Sequence, residues 1–312
     1  MKRVEKQGVA RGCVRWSREL LGAGLCLMLL TSGYAGQMSP TGNAEQIYAR
    51  TTIEFGDATL CKPGSDEDDS LVGKLAPLII QESDRANGAG APRRDEFGKL
   101  ALSTKGRLTL DKSQRAIYGG LNTTQLSGSE HVQVCFLWCY SVRPNRQGDR
   151  GLPLQGIRIT LNRAGQPAIW ETLADSSGTG LIFVSQSLEA AAKAEFGKPL
   201  PGRRHAIEAG TNEAPGAVVA RVIEDGPVAM GPIVYLSADT RDVSTLICRC
   251  MPAQAKRLVA TSRYEALNFE DRSTGALLAR AKAQTGGRAA FWPGDVPGEN
   301  RVARCLRLPR SF

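Results

Sequence analysis

The sequence predicts a strand-rich α+β protein built on a mainly antiparallel sheet with two or three short helices. Three observations lead to this fold class. Many short runs alternate apolar and polar residues, a period typical of strands. Helical segments are few and scattered among the strands, whereas a doubly wound sheet needs regular strand–helix alternation. The 34 glycines and 16 prolines among 312 residues predict frequent turns and few long helices.

The first 35 residues have the pattern of an export signal. A basic segment leads into the eleven-residue apolar run Leu20–Leu30, and small residues follow up to Ala35, where we expect cleavage. The apolar run is shorter than the ~20 residues that span a bilayer. We therefore expect a signal peptide over 1–35 and a periplasmic or secreted mature protein without a transmembrane anchor.

The rest of the chain is predicted to form a single α+β domain over 44–284, followed by a segment over 285–312 that is Gly/Pro-rich and then basic. The clearest strand is His131–Val142, where every second residue is β-branched or aromatic. Gly156–Ala174 has the alternation and the central turn residues of a hairpin. Further strands are predicted at Gln46–Phe55, Leu100–Leu110 (a pair), Leu181–Val184, Ala217–Ile223, Ile233–Leu236, Val243–Cys250 and Arg263–Phe269.

Three segments have helical features. The strongest is Ser185–Phe196, with serines available as N-caps and Gly197 placed to end the helix. Ser70–Glu82 has leucines at helical spacing, although Pro77 would kink or shorten it. The third, Ala253–Ser262, is predicted to be short.

The charge distribution argues against a nucleic-acid partner. Of the formal net charge of +9, the first 35 residues carry +4, from six basic and two acidic side chains, and the remaining +5 is spread over the rest. A nucleic-acid-binding protein usually concentrates positive charge and interleaves it with aromatic residues. Aromatic residues make up only 6% of this chain.

Cysteines form the most informative set of residues. Removal of Cys13 and Cys26 with the signal leaves six, and an even number in an oxidising compartment predicts disulfide bonds. The sequence does not choose among the 15 pairings that six thiols allow. If the strands holding Cys135-x₃-Cys139 and Cys248-x-Cys250 are antiparallel neighbours, one opposite pair would suit a disulfide. The second pair would then be diagonal, at ~7–8 Å, which is marginal for a bridge unless the strands bend. The leftover Cys61 and Cys305 would join the N-terminal region to the C-terminal segment. The six candidates are Cys61, Cys135, Cys139, Cys248, Cys250 and Cys305.

A Cys-ligated metal site is the main alternative. Thiolates of Cys135, Cys139, Cys248 and Cys250 would suit copper(I) or zinc. His131, Cys135 and Cys139 alone would not, because a strand separates residues four apart by ~13 Å. Thiol–disulfide chemistry is a further alternative. Reactive thiols usually lie at helix N-termini, a condition that only Cys250 loosely meets.

Familiar enzyme signatures are absent, and the sequence favours a non-enzymatic protein without a cofactor. The only histidines are His131 and His205, and there is no G-x-S-x-G elbow or phosphate-binding loop. The acidic run Asp66–Asp69 is interpreted as the start of a helix rather than as a calcium site. A hydrolase that depends on two carboxylates stays open, because two acids far apart in sequence leave no local trace.

These observations favour an exported, disulfide-braced binding or envelope-associated module. The alternatives are the metal or thiol-redox protein and the carboxylate-dependent hydrolase. A basic residue at every third position near the C-terminus would suit an anionic envelope polymer, although a solvated face explains the pattern equally well. These residues are Arg301, Arg304, Arg307 and Arg310.

Overall fold

A computed structural model describes most of the chain after residue 57, and all described residues belong to one compact unit, Pro40–Phe312. The described ranges are 58–64, 69–82, 97–140, 154–173, 180–210, 217–237, 241–247, 258–284 and 301–312, without the side chains of 258–261. The predicted signal peptide, the predicted strand Gln46–Phe55, Cys248 and Cys250 lie outside them. No helix within these ranges has the length and apolar character needed to cross a membrane.

Thirteen strands and four helices make up the described residues. The strands are β1 Ala58–Pro63, β2 Leu78–Glu82, β3 Lys99–Leu102, β4 Leu108–Asp111, β5 Ala116–Leu126, β6 Ser129–Cys139, β7 Leu154–Leu161, β8 Pro167–Leu173, β9 Gly180–Ser185, β10 Ala217–Ile223, β11 Ile233–Leu236, β12 Val243–Ile247 and β13 Leu258–Asn268. The helices are α1 Leu71–Leu75, α2 Gln186–Phe196, α3 Arg272–Gln284 and α4 Arg301–Cys305.

Eleven strands form one nearly closed mixed sheet in the order β10-β9-β8-β7-β6-β5-β13-β1-β2-β11-β12, and β3 and β4 form a separate hairpin. Four of its ten pairings are parallel: β10–β9, β5–β13, β13–β1 and β2–β11. The prediction of a mainly antiparallel α+β fold is therefore wrong. Alternation identifies a strand but not its neighbour, and parallel neighbours are joined by long connections that leave no local pattern.

Elements governed by local sequence are confirmed. The hairpin predicted at Gly156–Ala174 is β7 and β8, and the strand predicted from His131 is β6. Helix α2 begins after Ser185, whose hydroxyl accepts a hydrogen bond from the Leu188 N–H at 3.3 Å. The helix ends at Gly197, which has a φ of 77° that a residue with a Cβ adopts only at a cost.

Two predicted helices are wrong wholly or in part. Within Ser70–Glu82 only α1 is helical, and after Pro77 the chain continues as strand β2. The described part of Ala253–Ser262 belongs to β13. Helix α3 was not predicted. It is stabilised at its start by Asp271, whose carboxylate accepts the Ser273 N–H at 2.9 Å.

The inner face of the sheet holds the main core. Every second side chain of β6 and β7 points inward, and helix α1 packs Leu75 against them. The largest inward-facing side chains include Phe136, Trp138, Trp170, Phe183 and Tyr264. On the outer face, α2 and the C-terminal residues cover one apolar cluster, whereas α3 and the β3–β4 hairpin cover another.

Strand β13 joins the two halves of the sheet. Its first part pairs with β1 up to Tyr264, and its last four residues, 265–268, pair with the start of β5. The Tyr264 carbonyl accepts a hydrogen bond from the Gly64 N–H, whereas the Glu265 N–H donates to the Arg115 carbonyl. Successive residues of a strand direct their backbone groups to opposite edges. Therefore β1 and β5 lie on opposite edges of β13.

A polar contact connects β7 to the segment before β12. The Gln155 side chain, on the inner face, donates to a carboxylate oxygen of Asp242 at 2.9 Å. The neighbouring Arg241 is buried, adopts a φ of 65°, and donates to the Glu82 carbonyl at 3.0 Å. The second half of the sheet is thus held to the first by hydrogen bonds as well as by apolar packing.

Residues 301–312 pack on the outer face. The Arg301 guanidinium donates to the Thr172 carbonyl at 3.3 Å. At the other end, the Phe312 ring is 3% exposed and stacks on His131 with the ring centroids 4.4 Å apart. The segment therefore forms part of the folded unit.

We predict that Phe312→Ala lowers the free energy of unfolding by about 3 kcal/mol, because it removes a buried ring from this outer cluster. Urea denaturation followed by circular dichroism measures the change. The neighbouring exposed Ser311, replaced by alanine, serves as the control and should stay within about 0.5 kcal/mol of the wild type. Equal stability of both variants would show that the stacking contributes nothing.

Candidate functional site

The cysteines that the structure describes form no disulfide bond. Cys61 faces the inner core, whereas Cys305 packs against the outer cluster beneath α2, so a bridge between them has no support. Strand β6, which holds Cys135 and Cys139, pairs with β5 and β7, whereas β12 pairs with β11. The two strands are not neighbours, contrary to the arrangement assumed for a bridge. Pairings and metal ligation that involve Cys248 or Cys250 stay predictions.

The two thiols of β6 are shielded from solvent, which disfavours their reaction. Cys135 and Cys139 lie on the outward face and are fully buried. Burial raises the pKa of Cys135 to about 12, although Arg158 beside it acts to lower it. Burial likewise raises the pKa of Cys139 far above its ordinary value. Both thiols therefore stay protonated near neutral pH, and no metal-binding group of His, Cys, Asp or Glu occurs within the described ranges.

We predict that iodoacetamide at pH 8 alkylates Cys135 far more slowly in the folded protein than in urea. The raised pKa reduces the thiolate fraction roughly a thousandfold, and burial excludes the reagent as well. Peptide mass mapping after timed alkylation gives the rate at each site. Half-buried Cys305 should react faster than Cys135 and serves as the internal comparison. Rapid modification of Cys135 in the folded state would contradict the burial.

His131 serves packing rather than ligation. Its Nδ1 donates to the Leu161 carbonyl oxygen at 2.9 Å, and its ring lies flat against Phe312. The other histidine, His205, is half-buried, and its backbone N–H donates to the Glu208 carboxylate at 3.0 Å. Neither imidazole lies beside a nucleophilic side chain in the contacts that the structure shows for it.

A buried ion pair that the sequence analysis missed lies next to Cys135. Arg158 donates two hydrogen bonds to Glu171, at 2.7 and 2.9 Å, from directly opposite positions on β7 and β8. Burial alone would lower the pKa of Arg158, but the Glu171 carboxylate raises it above its ordinary value. The sequence signal for this ion pair is the presence of opposite charges at facing positions of the predicted hairpin. Both carboxylate oxygens of Glu171 accept hydrogen bonds from Arg158, and the carboxylate-dependent hydrolase stays a prediction.

We predict that Glu171→Ala lowers the free energy of unfolding by about 3 kcal/mol, because it leaves Arg158, whose side chain is only 11% exposed, without its counter-charge. The double variant Arg158→Met with Glu171→Leu should be clearly more stable than Glu171→Ala, since it removes both charges. Urea denaturation of the single and double variants measures the coupling. A double variant no more stable than Glu171→Ala would contradict the burial of the pair.

The C-terminal arginines do not share one basic face. Arg301 is buried, and half-buried Arg307 lies over the Phe196 ring at 4.9 Å from its centroid. Arg310 is exposed and lies 3.7 Å from a Glu195 carboxylate oxygen. Only Arg304 and Arg310 are exposed, so contact with an anionic polymer stays a prediction that these two residues would have to support.

An open strand edge is the most distinctive surface of the described residues. Strands β5 and β6 are each eleven residues long, but β13 pairs only with Ala116–Gly119 of β5. Beyond that point, Leu121–Leu126 pairs with β6 alone among the described strands. One edge of the overhanging hairpin is therefore unpaired among the strands that the structure describes.

The hydrogen bonds between β13 and the first part of β5 show which backbone groups of β5 point toward this edge. The carbonyls of Arg115 and Gly119 accept hydrogen bonds from β13 and its following residue, so odd-numbered residues of β5 face that edge. The two-residue turn Ser127–Gly128 supports this pattern. Both residues have positive φ, 49° and 78°, as in a type I′ turn that closes on even-numbered Leu126. The open edge therefore consists of the N–H and carbonyl groups of Leu121, Thr123 and Gln125.

The side chains beside this edge are accessible and partly apolar. Leu121, Thr123 and Gln125 are all exposed, Leu121 by 42%. Val132 of β6, its diagonal neighbour on the same face, is 37% exposed. Exposed apolar side chains next to one another mark sites of interaction more often than scattered ones do.

The edge has none of the usual features that block strand addition. Leu121–Leu126 contains no charged residue and no proline, and its pairing with β6 has no bulge. The outer strand β10 differs, because the Glu208 carboxylate accepts the Val219 N–H at 3.2 Å and so covers part of that edge. Strand β5 was missed in the sequence, although Ser127–Gly128 before a strong strand was a usable signal for a hairpin.

Comparison with known proteins adds no assignment: no family model matches the sequence, and neither the curated proteins nor the solved structures contain a significant match.

Proposed function

We propose that the protein is an exported binding module, not an enzyme, and that it binds an extended segment of another polypeptide as an added strand on β5. The open edge of Leu121, Thr123 and Gln125 is the observation that carries the proposal. Export rests on the basic and apolar pattern of the first 35 residues.

Backbone chemistry defines the kind of ligand. Outward-facing groups recur at every second residue, about 6.6–7 Å apart along a strand. An extended peptide presents donors and acceptors at the same spacing, and a sheet edge can add it as a further strand. A compact small molecule would satisfy only one such position. The edge therefore favours a polypeptide ligand.

The described residues give less support to the alternative functions. Cys135 and Cys139 are buried with raised pKa values, which disfavours thiol redox chemistry and metal ligation at β6. The buried carboxylates of Glu171 and Glu208 are occupied by Arg158 and by backbone N–H groups, respectively. The N–H and carbonyl groups of Leu121, Thr123 and Gln125, in contrast, face an edge that pairs with no described strand.

We predict that Thr123→Pro weakens peptide binding at least tenfold without unfolding the protein. Proline removes an N–H that faces away from β6, so the β5–β6 ladder stays intact while an added strand loses a donor and meets the ring. The probe is a fluorescein-labelled seven-residue peptide of alternating valine and threonine with a lysine at each end. Its fluorescence anisotropy is measured during titration with protein.

The matched control is Thr123→Ser, which keeps the N–H and the hydroxyl and should bind the peptide like the wild type. Circular dichroism and thermal unfolding confirm that both variants are folded. Absence of peptide binding by the wild type, or equal binding by Thr123→Pro, would overturn the proposed function.

A further inference from the structure

We infer that the tip of the β3–β4 hairpin binds the surface of a membrane that contains anionic phospholipids. The residues concerned are different from those of the open edge of β5, and the inference does not rest on the proposed function. It follows from three properties of the hairpin: an exposed leucine near its tip, cations beside that leucine, and a base that is bonded to the large sheet.

One face of the hairpin is a row of leucines that becomes exposed toward the tip. The pairing register places Leu100 opposite Leu110. Two residues closer to the turn, Leu102 lies opposite Leu108 on the same face. Leu100 is 3% exposed and belongs to the outer cluster covered by α3, whereas Leu102 is 47% exposed. The row therefore begins in the core and ends with an apolar side chain in contact with water.

Two cations follow this leucine in the turn of the hairpin. Lys105 and Arg107 are exposed, and neither side chain has a hydrogen bond or an ion pair within the part of the chain that the structure describes. Backbone hydrogen bonds close the turn, from the Gly106 N–H to the Ser103 carbonyl and from the Ser103 N–H to the Arg107 carbonyl, both at 2.8 Å. Both charges are therefore available to an anionic partner next to Leu102.

The hairpin and its flanks have a concentrated positive charge. Residues 99–115 contain five basic residues and one acidic residue, a net charge of +4, whereas the whole chain after residue 35 carries +5. Such a segment is attracted to anionic surfaces, and the attraction weakens as salt is added. Each basic residue close to an anionic membrane strengthens binding about fivefold.

The base of the hairpin is held to the large sheet. The Leu100 N–H donates to the Tyr118 hydroxyl at 2.6 Å, and the Lys99 N–H donates to the Gln114 carbonyl at 2.8 Å. The Lys99 ammonium lies 2.8 Å from a carboxylate oxygen of Glu265 on β13. The tip is therefore presented by a supported hairpin rather than by a long loop.

The combination of an apolar side chain with cations favours a lipid surface over other anionic partners. An anionic polymer in water would neutralise the charges but would leave Leu102 in contact with water. A bilayer satisfies both groups, because its anionic headgroups attract Lys105 and Arg107 while its interface accepts the leucine side chain.

The other large exposed apolar side chains among the described residues lack this pattern. Leu121 and Val132 lie on the β5–β6 hairpin, beside the uncharged segment Leu121–Leu126. Val228 is 57% exposed, but Glu224 and Asp225 precede it, and an anionic membrane would repel both. The β3–β4 tip is therefore the surface to which an anionic membrane fits.

The test measures co-sedimentation of the protein with sucrose-loaded vesicles. Residues 36–312 are used, since they contain the compact unit Pro40–Phe312 and lack the apolar run of the predicted signal, which would itself bind lipid. Vesicles of phosphatidylcholine with about 30% phosphatidylglycerol should bind the protein, and vesicles of phosphatidylcholine alone should not. Addition of about 0.5 M NaCl should release the bound protein.

Two tip variants test the two parts of the surface separately. Lys105→Gln with Arg107→Gln should weaken binding to the anionic vesicles at least tenfold, because two cations near the membrane are lost. Leu102→Ser should weaken it about threefold or more, because the side chain that enters the interface is lost. Thermal unfolding should match the wild type for the charge variant, since both replaced side chains are exposed.

Matched controls separate the tip from general charge and apolar exposure. Lys193→Gln with Lys198→Gln removes the same charge from exposed positions at the end of α2, and Val228→Ser removes a more exposed apolar side chain. Both should bind anionic vesicles within about twofold of the wild type. Thr123→Pro should also bind vesicles like the wild type, whatever its effect on peptide binding.

Several results would overturn the inference. These are absence of binding to anionic vesicles, equal binding to neutral vesicles, unchanged binding by the Lys105 and Arg107 variant, and an equal loss in the Lys193 and Lys198 control. Binding of soluble dextran sulfate by the tip without binding of vesicles would also overturn it and would assign the tip to an anionic polymer. Failure of peptide binding at β5 would overturn the proposed function alone.

Discussion

Parallel pairing of one strand on both its edges is the constraint on which this structure depends. Strand β13 holds β1 on one edge and β5 on the other, and without it the eleven-stranded sheet would be two separate pieces. The same strand stops at Asn268, well before the end of β5. Strand β13 therefore joins the two parts of the sheet and, because it ends early, leaves the last residues of β5 without a described partner on that edge.

Several ionisable side chains in the described residues hold the fold together. The bidentate contact of Arg158 and Glu171 fixes neighbouring strands on the covered outer face. Glu208 satisfies backbone donors at the edge of β10. In contrast, the β5 main chain beyond Gly119 pairs with no described strand on its outer edge, and the exposed side chains of Leu121 and Val132 lie on the same hairpin.

Local patterns in the sequence predicted local structure well. The β7–β8 hairpin follows from alternation around a turn, and α2 follows from its serine cap and terminal glycine, because each signal lies within a few residues. The sheet order could not be predicted in this way. The paired residues of β1 and β13 lie about two hundred positions apart in the sequence, and apolar alternation is the same whichever neighbour a strand has. Pro77 within Ser70–Glu82 is predicted to kink or shorten a helix, and in the structure it separates a short helix from a strand.

The open edge of β5 could not be predicted from the sequence, for a related reason. An edge is open only because a particular neighbour ends early, and the length of a neighbour is a property of the assembled sheet. Cysteine is a residue type that suggests chemistry, yet burial in β6 raises the pKa of Cys135 and so disfavours its thiolate. Leu121 and Val132 carry no comparable signal, since an exposed leucine or valine looks like any other strand residue.

The long-range pairing of β13 has a consequence for how the chain acquires its structure. Contacts between residues far apart in sequence require the closure of large loops, and folds dominated by them form slowly. Strand β1 has to wait for a partner near the opposite end of the polypeptide, so the sheet cannot be completed until most of the chain is present. During that interval the β5–β6 and β7–β8 hairpins, whose partners are adjacent in sequence, are the units able to form first.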